Sequence, residues 1–103
     1  MRLRRLLLPL AALCFASAAH ADIRVGIDLS TTGPAAAIGI PSRNTVQLWP
    51  QTLGGQRAQY IVLDDGTDPA AAVRNVRKLM AEDKVDVIVG PNITPNAIAA
   101  LDA

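Results

Sequence analysis

Apolar residues are distributed along the chain in two textures. Some form short unbroken runs, and others recur every three or four residues along longer stretches. "IRVGID" (Ile23–Asp28), "AQYIVLDD" (Ala58–Asp65) and "VDVIV" (Val85–Val89) belong to the first texture. Runs this short and this rich in β-branched residues predict strands buried on both faces. The second texture is clearest after Asp68, where Ala72, Val73, Val76, Leu79 and Met80 form one face and Arg74, Asn75, Arg77 and Lys78 the other. That period predicts a helix from Asp68, a good N-cap followed by Pro69, to about Asp83. "IPSRNTVQLW" (Ile40–Trp49) predicts a short helix stopped by Pro50, and Thr94-Pro95 repeats the cap-then-proline signal for a last one. "LSTTGPAAAIG" (Leu29–Gly39) reads as a loop and "LGG" as a turn.

Strand and helix alternate three times, which implies parallel strands joined by right-handed crossovers. The expected fold class is α/β. In such a sheet the second strand commonly lies outside the first, with the third on its other side. The first and third strands are then neighbours whose connections leave in opposite directions, and ligands collect outside the carboxyl ends of strands at that point. Two loops fall there: Leu29–Gly39 and Gly90–Thr94.

Composition changes the picture at the N-terminus. Arg2, Arg4 and Arg5 precede a short apolar stretch ending in Ala19-His20-Ala21. This is the pattern of a secretory signal peptide over residues 1–21, with cleavage expected between Ala21 and Asp22 and a periplasmic destination. The apolar stretch is too short and Pro-broken for a stable membrane span. Three of the ten basic residues lie in that leader, leaving seven against nine acidic ones, a net −2. Without a basic patch, nucleic acid is not an expected partner. Residues 22–103 contain neither cysteine nor histidine, which excludes a disulfide framework, a histidine–cysteine zinc site and a Cys–His nucleophile.

The candidate chemistry sits in the two loops. Thr94 can cap the last helix, and the N–H groups around it have no partner inside the helix, so a small carboxylate would suit that turn. The alternative is that Thr94 only caps. Ile38 either faces an apolar ligand tail, each buried methylene contributing about 0.8 kcal/mol, or plugs the core under the loop. "VLDDGTDP" supplies Asp64, Asp65 and Asp68; acid–base or metal work is conceivable, but a helix cap and turn bonds account for them, and the spacing does not match an EF-hand. "GIDLSTTG" (Gly26–Gly33) resembles the "GIDLGTT" phosphate loop of actin-like ATPases, which include sugar kinases and heat-shock chaperones. Ser30 replaces a required glycine there, and "GPAAAIGIP" cannot form the hairpin strand that should follow.

A broader resemblance covers nearly all of residues 22–103 in order and spacing. "IRVGI", "TGPAAAIGIP", "YIVLDDGTDPAAAVRNVRKLMAEDKVDVIVGP" and the following "TP" resemble the periplasmic solute-binding proteins of branched-chain amino-acid ABC transporters, the leucine/isoleucine/valine-binding family. The resemblance implies a parallel βαβαβα start to the first lobe of a type I periplasmic-binding-protein fold. It implies a two-lobed, non-enzymatic protein without a cofactor, which closes on an amino acid or related small carboxylate and delivers it to an ABC permease. Thr94 falls where the family has a Ser or Thr contacting the ligand carboxylate, with Asn92 and Ile93 lining the same turn. Ile38 falls where the family often has a larger, frequently aromatic residue over the ligand. The stretch before "LGG" is shorter than in many members, so the ligand need not be leucine. The family's chains are several times longer. Residues 22–103 are accordingly expected to be part of the first lobe, and by themselves to be aggregation-prone or molten and without tight binding. A ligand-binding sensory or receptor domain of the same fold is the other reading within this resemblance.

Overall fold

The computed structural model describes residues 22–103, so the expected leader and its cleavage point after Ala21 lie outside the described residues. Four strands form one sheet in the order β2-β3-β1-β4: β1 is Ile23–Leu29, β2 Thr52–Leu53, β3 Gln56–Asp64 and β4 Val87–Val89. β1 runs parallel to β3, from Ile23 opposite Ala58 to Leu29 opposite Asp64, and parallel to β4 through Val25, Gly26 and Ile27. The expected α/β class and the placing of the first strand between the other two are therefore observed. β2 was not expected. It is a two-residue antiparallel partner for the start of β3, made because Gly54 and Gly55, both at positive φ, turn the chain back on itself.

β1 is central and buried from Val25 to Leu29. Its odd-numbered side chains, Val25, Ile27 and Leu29, form a core with Val46 of helix α1 (Ala36–Val46), flanked by Ile23, Trp49, Tyr60 and Val62. Trp49 meets Tyr60 edge to face at 5.4 Å, and the Tyr60 hydroxyl donates to Pro50 O at 2.6 Å. The even-numbered side serves helix α2 (Pro69–Ala81), whose Ala72, Val76 and Leu79 are buried. A Cβ on Gly26 would lie 2.9 Å from Leu79 Cδ2, so β1 is narrowest where α2 presses closest. Helix α3 (Thr94–Ala100) packs along α2.

Several expected boundaries move, each for a local reason. α1 starts at Ala36, four residues before the expected Ile40, and passes through Gly39 and Pro41. Gly39 is there for space: a Cβ would overlap the Ser30 carbonyl and stand 2.8 Å from Thr31 N. Around Pro41, hydroxyls of Ser42 and Thr45 donate to the carbonyls of Ile38 and Pro41. Because a helix, and no hairpin strand, follows "GIDLSTTG", the ATPase-loop resemblance has no structural continuation. α2 ends at Ala81, and its outermost apolar position, Met80, is 45% exposed. Asn75, assigned to the solvated face, turns inward. The third parallel strand is shortened to Val87–Val89, because Val85 N and Asp86 N bond to Leu79 O and Arg24 O in the approach to the sheet.

Candidate ligand-binding site

Three loops meet at the carboxyl ends of the parallel strands, and carboxylates of β3 and its loop tie them together. Asp64 accepts from Thr31 N (2.9 Å), Thr32 N (3.2 Å), Thr32 Oγ1 (2.6 Å) and Gly66 N (2.9 Å). Although desolvation works against its charge, these bonds, that of the Thr32 hydroxyl foremost, pull the carboxyl down to about 2. Asp65 is buried and accepts from Ser30 Oγ (2.6 Å), Thr67 N (2.8 Å) and Asn96 Nδ2 (2.7 Å). Asp68 caps α2 through Ala70 N and Ala71 N, both at 3.2 Å. All three carboxylates of "DDGTD" are thus engaged with protein donors, as the turn-and-cap reading expected. No acidic, histidine or cysteine group suited to a metal occurs among the described residues.

Asn92 completes the tie from the other side. Its Oδ1 accepts from Ser30 N at 2.9 Å, joining the loop after β4 to the loop after β1, while its Nδ2 is buried without a partner. Gly90 makes that approach possible: at φ 102° it lies against the Asp28 carbonyl, which any Cβ would overlap. Two cavities flank the joint. One of about 280 Å³ is lined by Asn92, Ile93, Thr94, Ala97 and Ile98; the other, of about 320 Å³ on the α1 side, by Ile27, Leu29, Trp49, Val89 and Asn92. Asn92 lines both.

The four expected contact residues therefore separate. Asn92, Ile93 and Thr94 come together on one cavity. Ile38 is not on either lining. It sits in the first turn of α1 and is 57% exposed, so it does not plug the core. Thr94 is not the cap of α3 either. Ile93, in extended conformation, holds the cap position, and no side chain caps the helix. A proline at the second helical position holds the first turn without help from the threonine, whose exposed hydroxyl is left out of capping. Sequence reasoning missed Ser30, Asn75 and Asn96, which are drawn inward by Asp65 and Asp28; polar residues buried by a partner distant in sequence leave no periodic signal.

An open, mainly parallel sheet whose loops converge beside a switch point has the architecture of a small-molecule-binding α/β protein. The chain belongs to the periplasmic binding protein family, whose profile matches residues 22–103. It is 35% identical over 98 residues to the Leu/Ile/Val-binding protein BraC3 of Rhizobium johnstonii, covering 89% of this chain and 26% of that protein. Among solved structures it resembles an extracellular ligand-binding receptor from Rhodopseudomonas palustris HaA2 (49% identity, TM-score 0.75, 78% of this chain and 22% of that one). It also resembles a solute-binding protein of an ABC transporter from Rhodopseudomonas palustris BisB5 in complex with 3,4-dihydroxybenzoic acid (34% identity, TM-score 0.72, 77% and 23%). The chain spans about a quarter of the length of the curated relatives it matches.

Proposed function

We propose that the chain supplies the opening of the first lobe of an exported substrate-binding protein, one that captures an amino acid or a related small carboxylate for uptake by an ABC permease. It acts by binding and carries no catalysis. The observation that carries this reading is the joint at Asn92: loops from the two diverging strands, β1 and β4, are tied across the switch point, next to a Thr94 hydroxyl not used in capping. A ligand carboxylate would take that hydroxyl and the free N–H groups at the start of α3. Exposed Ile38 would contribute apolar contact from the first turn of α1. The ligands named for the relatives, Leu/Ile/Val and 3,4-dihydroxybenzoic acid, share a carboxylate, which is the chemistry such a rim serves. The expected leader, residues 1–21, would direct export and be removed between Ala21 and Asp22.

Residues 22–103 taken by themselves would bind such a ligand poorly. β4 pairs only with β1 among the described residues, Val87 and Val89 are 49% and 42% exposed, and a cleft gains most of its ligand burial from a second wall. The test is calorimetry with L-isoleucine and with 3,4-dihydroxybenzoate on the protein exported from its own gene, with and without Thr94→Ala. One ligand should bind, and the variant should lose about 10- to 150-fold in affinity, the range for a hydrogen bond to a charged group. No binding of either at millimolar concentration, or an unchanged Thr94→Ala affinity, would overturn the reading.

A further inference from the structure

Asp28 ends the even-numbered face of β1 with no solvent exposure, in the layer between β1 and α2. Its Oδ1 accepts from Asn75 Nδ2 at 2.7 Å, and the same amide also donates to Asp64 O at 3.0 Å. Its Oδ2 is buried with no donor, and so is Asn96 Oδ1. Asp65, 1% exposed, acts on it from the loop after β3 through its charge and within hydrogen-bonding reach, and itself holds Ser30 Oγ at 2.6 Å and Asn96 Nδ2 at 2.7 Å. A cation does not balance the two carboxyls. Asp64 and Asp65 face Asp28 from β3 and its loop, α2 brings the neutral Asn75, and α3 brings the neutral Asn96 onto Asp65. The nearby bases are directed elsewhere: Arg74 lies 3.8 Å from Asp68, Lys78 is paired with Asp83 at 2.7 Å, and Arg77 is exposed.

Two fully buried carboxylates without a counter-ion cannot both stay charged. We propose that Asp28 carries a proton on Oδ2 and shares it with Asp65, and that this shared proton positions the loop after β1 and the start of α3 at the ligand cleft. The proton turns an unpaired acceptor into a donor and leaves one charge on the buried pair, where Ser30 Oγ, Thr67 N and Asn96 Nδ2 donate to Asp65. Asp28 is a positioning residue: it acts through Asp65 on two elements, one carrying Ser30 and Thr31, the other Thr94. Burial first, and then the charges of Asp65 and Asp64 against the opposing bond from Asn75, lift its carboxyl from 3.8 to about 7. A group raised on folding favours the folded chain at low pH, and that contribution declines as the pH climbs from about 4 and is gone above about 7. Loosening of the two loops follows the upper end of that range.

The consequence for ligand affinity rests on the binding reading above; the pair itself does not, and its test uses no ligand. Carbon-13 NMR of the aspartate carboxyls in the full chain, from pH 4.5 to 8.5, should show one carboxyl titrating near 7 that disappears in Asp28→Asn. The amide signals of Ser30 and the side-chain amide of Asn96 should move with the same midpoint, and should be flat over this range in Asp28→Asn. In Asp65→Asn the Asp28 midpoint should fall, because both the repelling charge and the acceptor are gone. If every aspartate of the wild-type chain titrates below 5, or if Ser30 and Asn96 keep their wild-type pH profile in Asp28→Asn, the proposal is overturned. The wild-type titration alone decides the first point, so an unstable variant does not rescue it. Failure of calorimetry alongside a carboxyl that titrates near 7 and disappears in Asp28→Asn would count against the binding reading and leave the pair standing.

Discussion

Gly39→Ala sets two physical effects against each other at one position. In an exposed helix interior, replacing glycine by alanine stabilises by up to about 1 kcal/mol, because alanine has less backbone freedom to lose. α1, however, rests on the loop after β1 at this residue. An added methyl would overlap the Ser30 carbonyl and stand 2.8 Å from Thr31 N, against backbone atoms rather than a flexible side-chain end. Those backbone atoms are themselves fixed, Ser30 N on Asn92 and Thr31 N on Asp64. Relief therefore requires moving the helix off the sheet, which also opens the contact of Val46 with Val25, Ile27 and Leu29. Overpacking of this kind costs about 1–3 kcal/mol, and more where the obstacle is rigid. The steric term exceeds the propensity gain, so the net expectation is a loss of about 1–2 kcal/mol or more. Thermal unfolding of the full chain measures it, and Ala37→Gly calibrates the propensity scale at an exposed position of the same helix, where about 1 kcal/mol of loss is expected. A Gly39→Ala chain as stable as wild type, or more so, would refute the close approach of α1 to Ser30.

Leu79→Ala removes a fully buried side chain that fills the space left by Gly26 beneath α2, and should cost about 2–5 kcal/mol in denaturant unfolding, enough to abolish the transition of a marginal domain. Asp68→Ala deletes the side-chain cap of α2 and should lower stability by about 1 kcal/mol, with Asp68→Asn or Asp68→Ser restoring most of it; equal loss in all three variants would place the contribution of Asp68 elsewhere, for example in its pairing with Arg74.

Strand order and class were legible in the chain because they follow from period and connection. Three β-branched runs separated by helical stretches leave few parallel arrangements, and the convergence of the loops after β1 and β4 follows from the order of strands. The α2 cap was legible too, since Asp68-Pro69 acts on its own neighbours. Contacts between residues far apart in sequence were not. Gly39 and Pro41 resemble loop signals, and only the position of Ser30 against α1 explains why a glycine is needed inside a helix. Thr94 resembles a cap, yet the backbone assigns that position to Ile93 and leaves the hydroxyl out of capping. Asn75 has the spacing of a solvated face, and Asn96 gives no signal at all. Both are drawn inward by carboxylates, Asp28 and Asp65, that lie 47 and 31 residues away. Local preference is a property of neighbours along the chain, so the sequence by itself determined the elements and their order. Burial of charge depends on what the folded sheet brings together, so the tertiary structure decided which polar groups must satisfy one another.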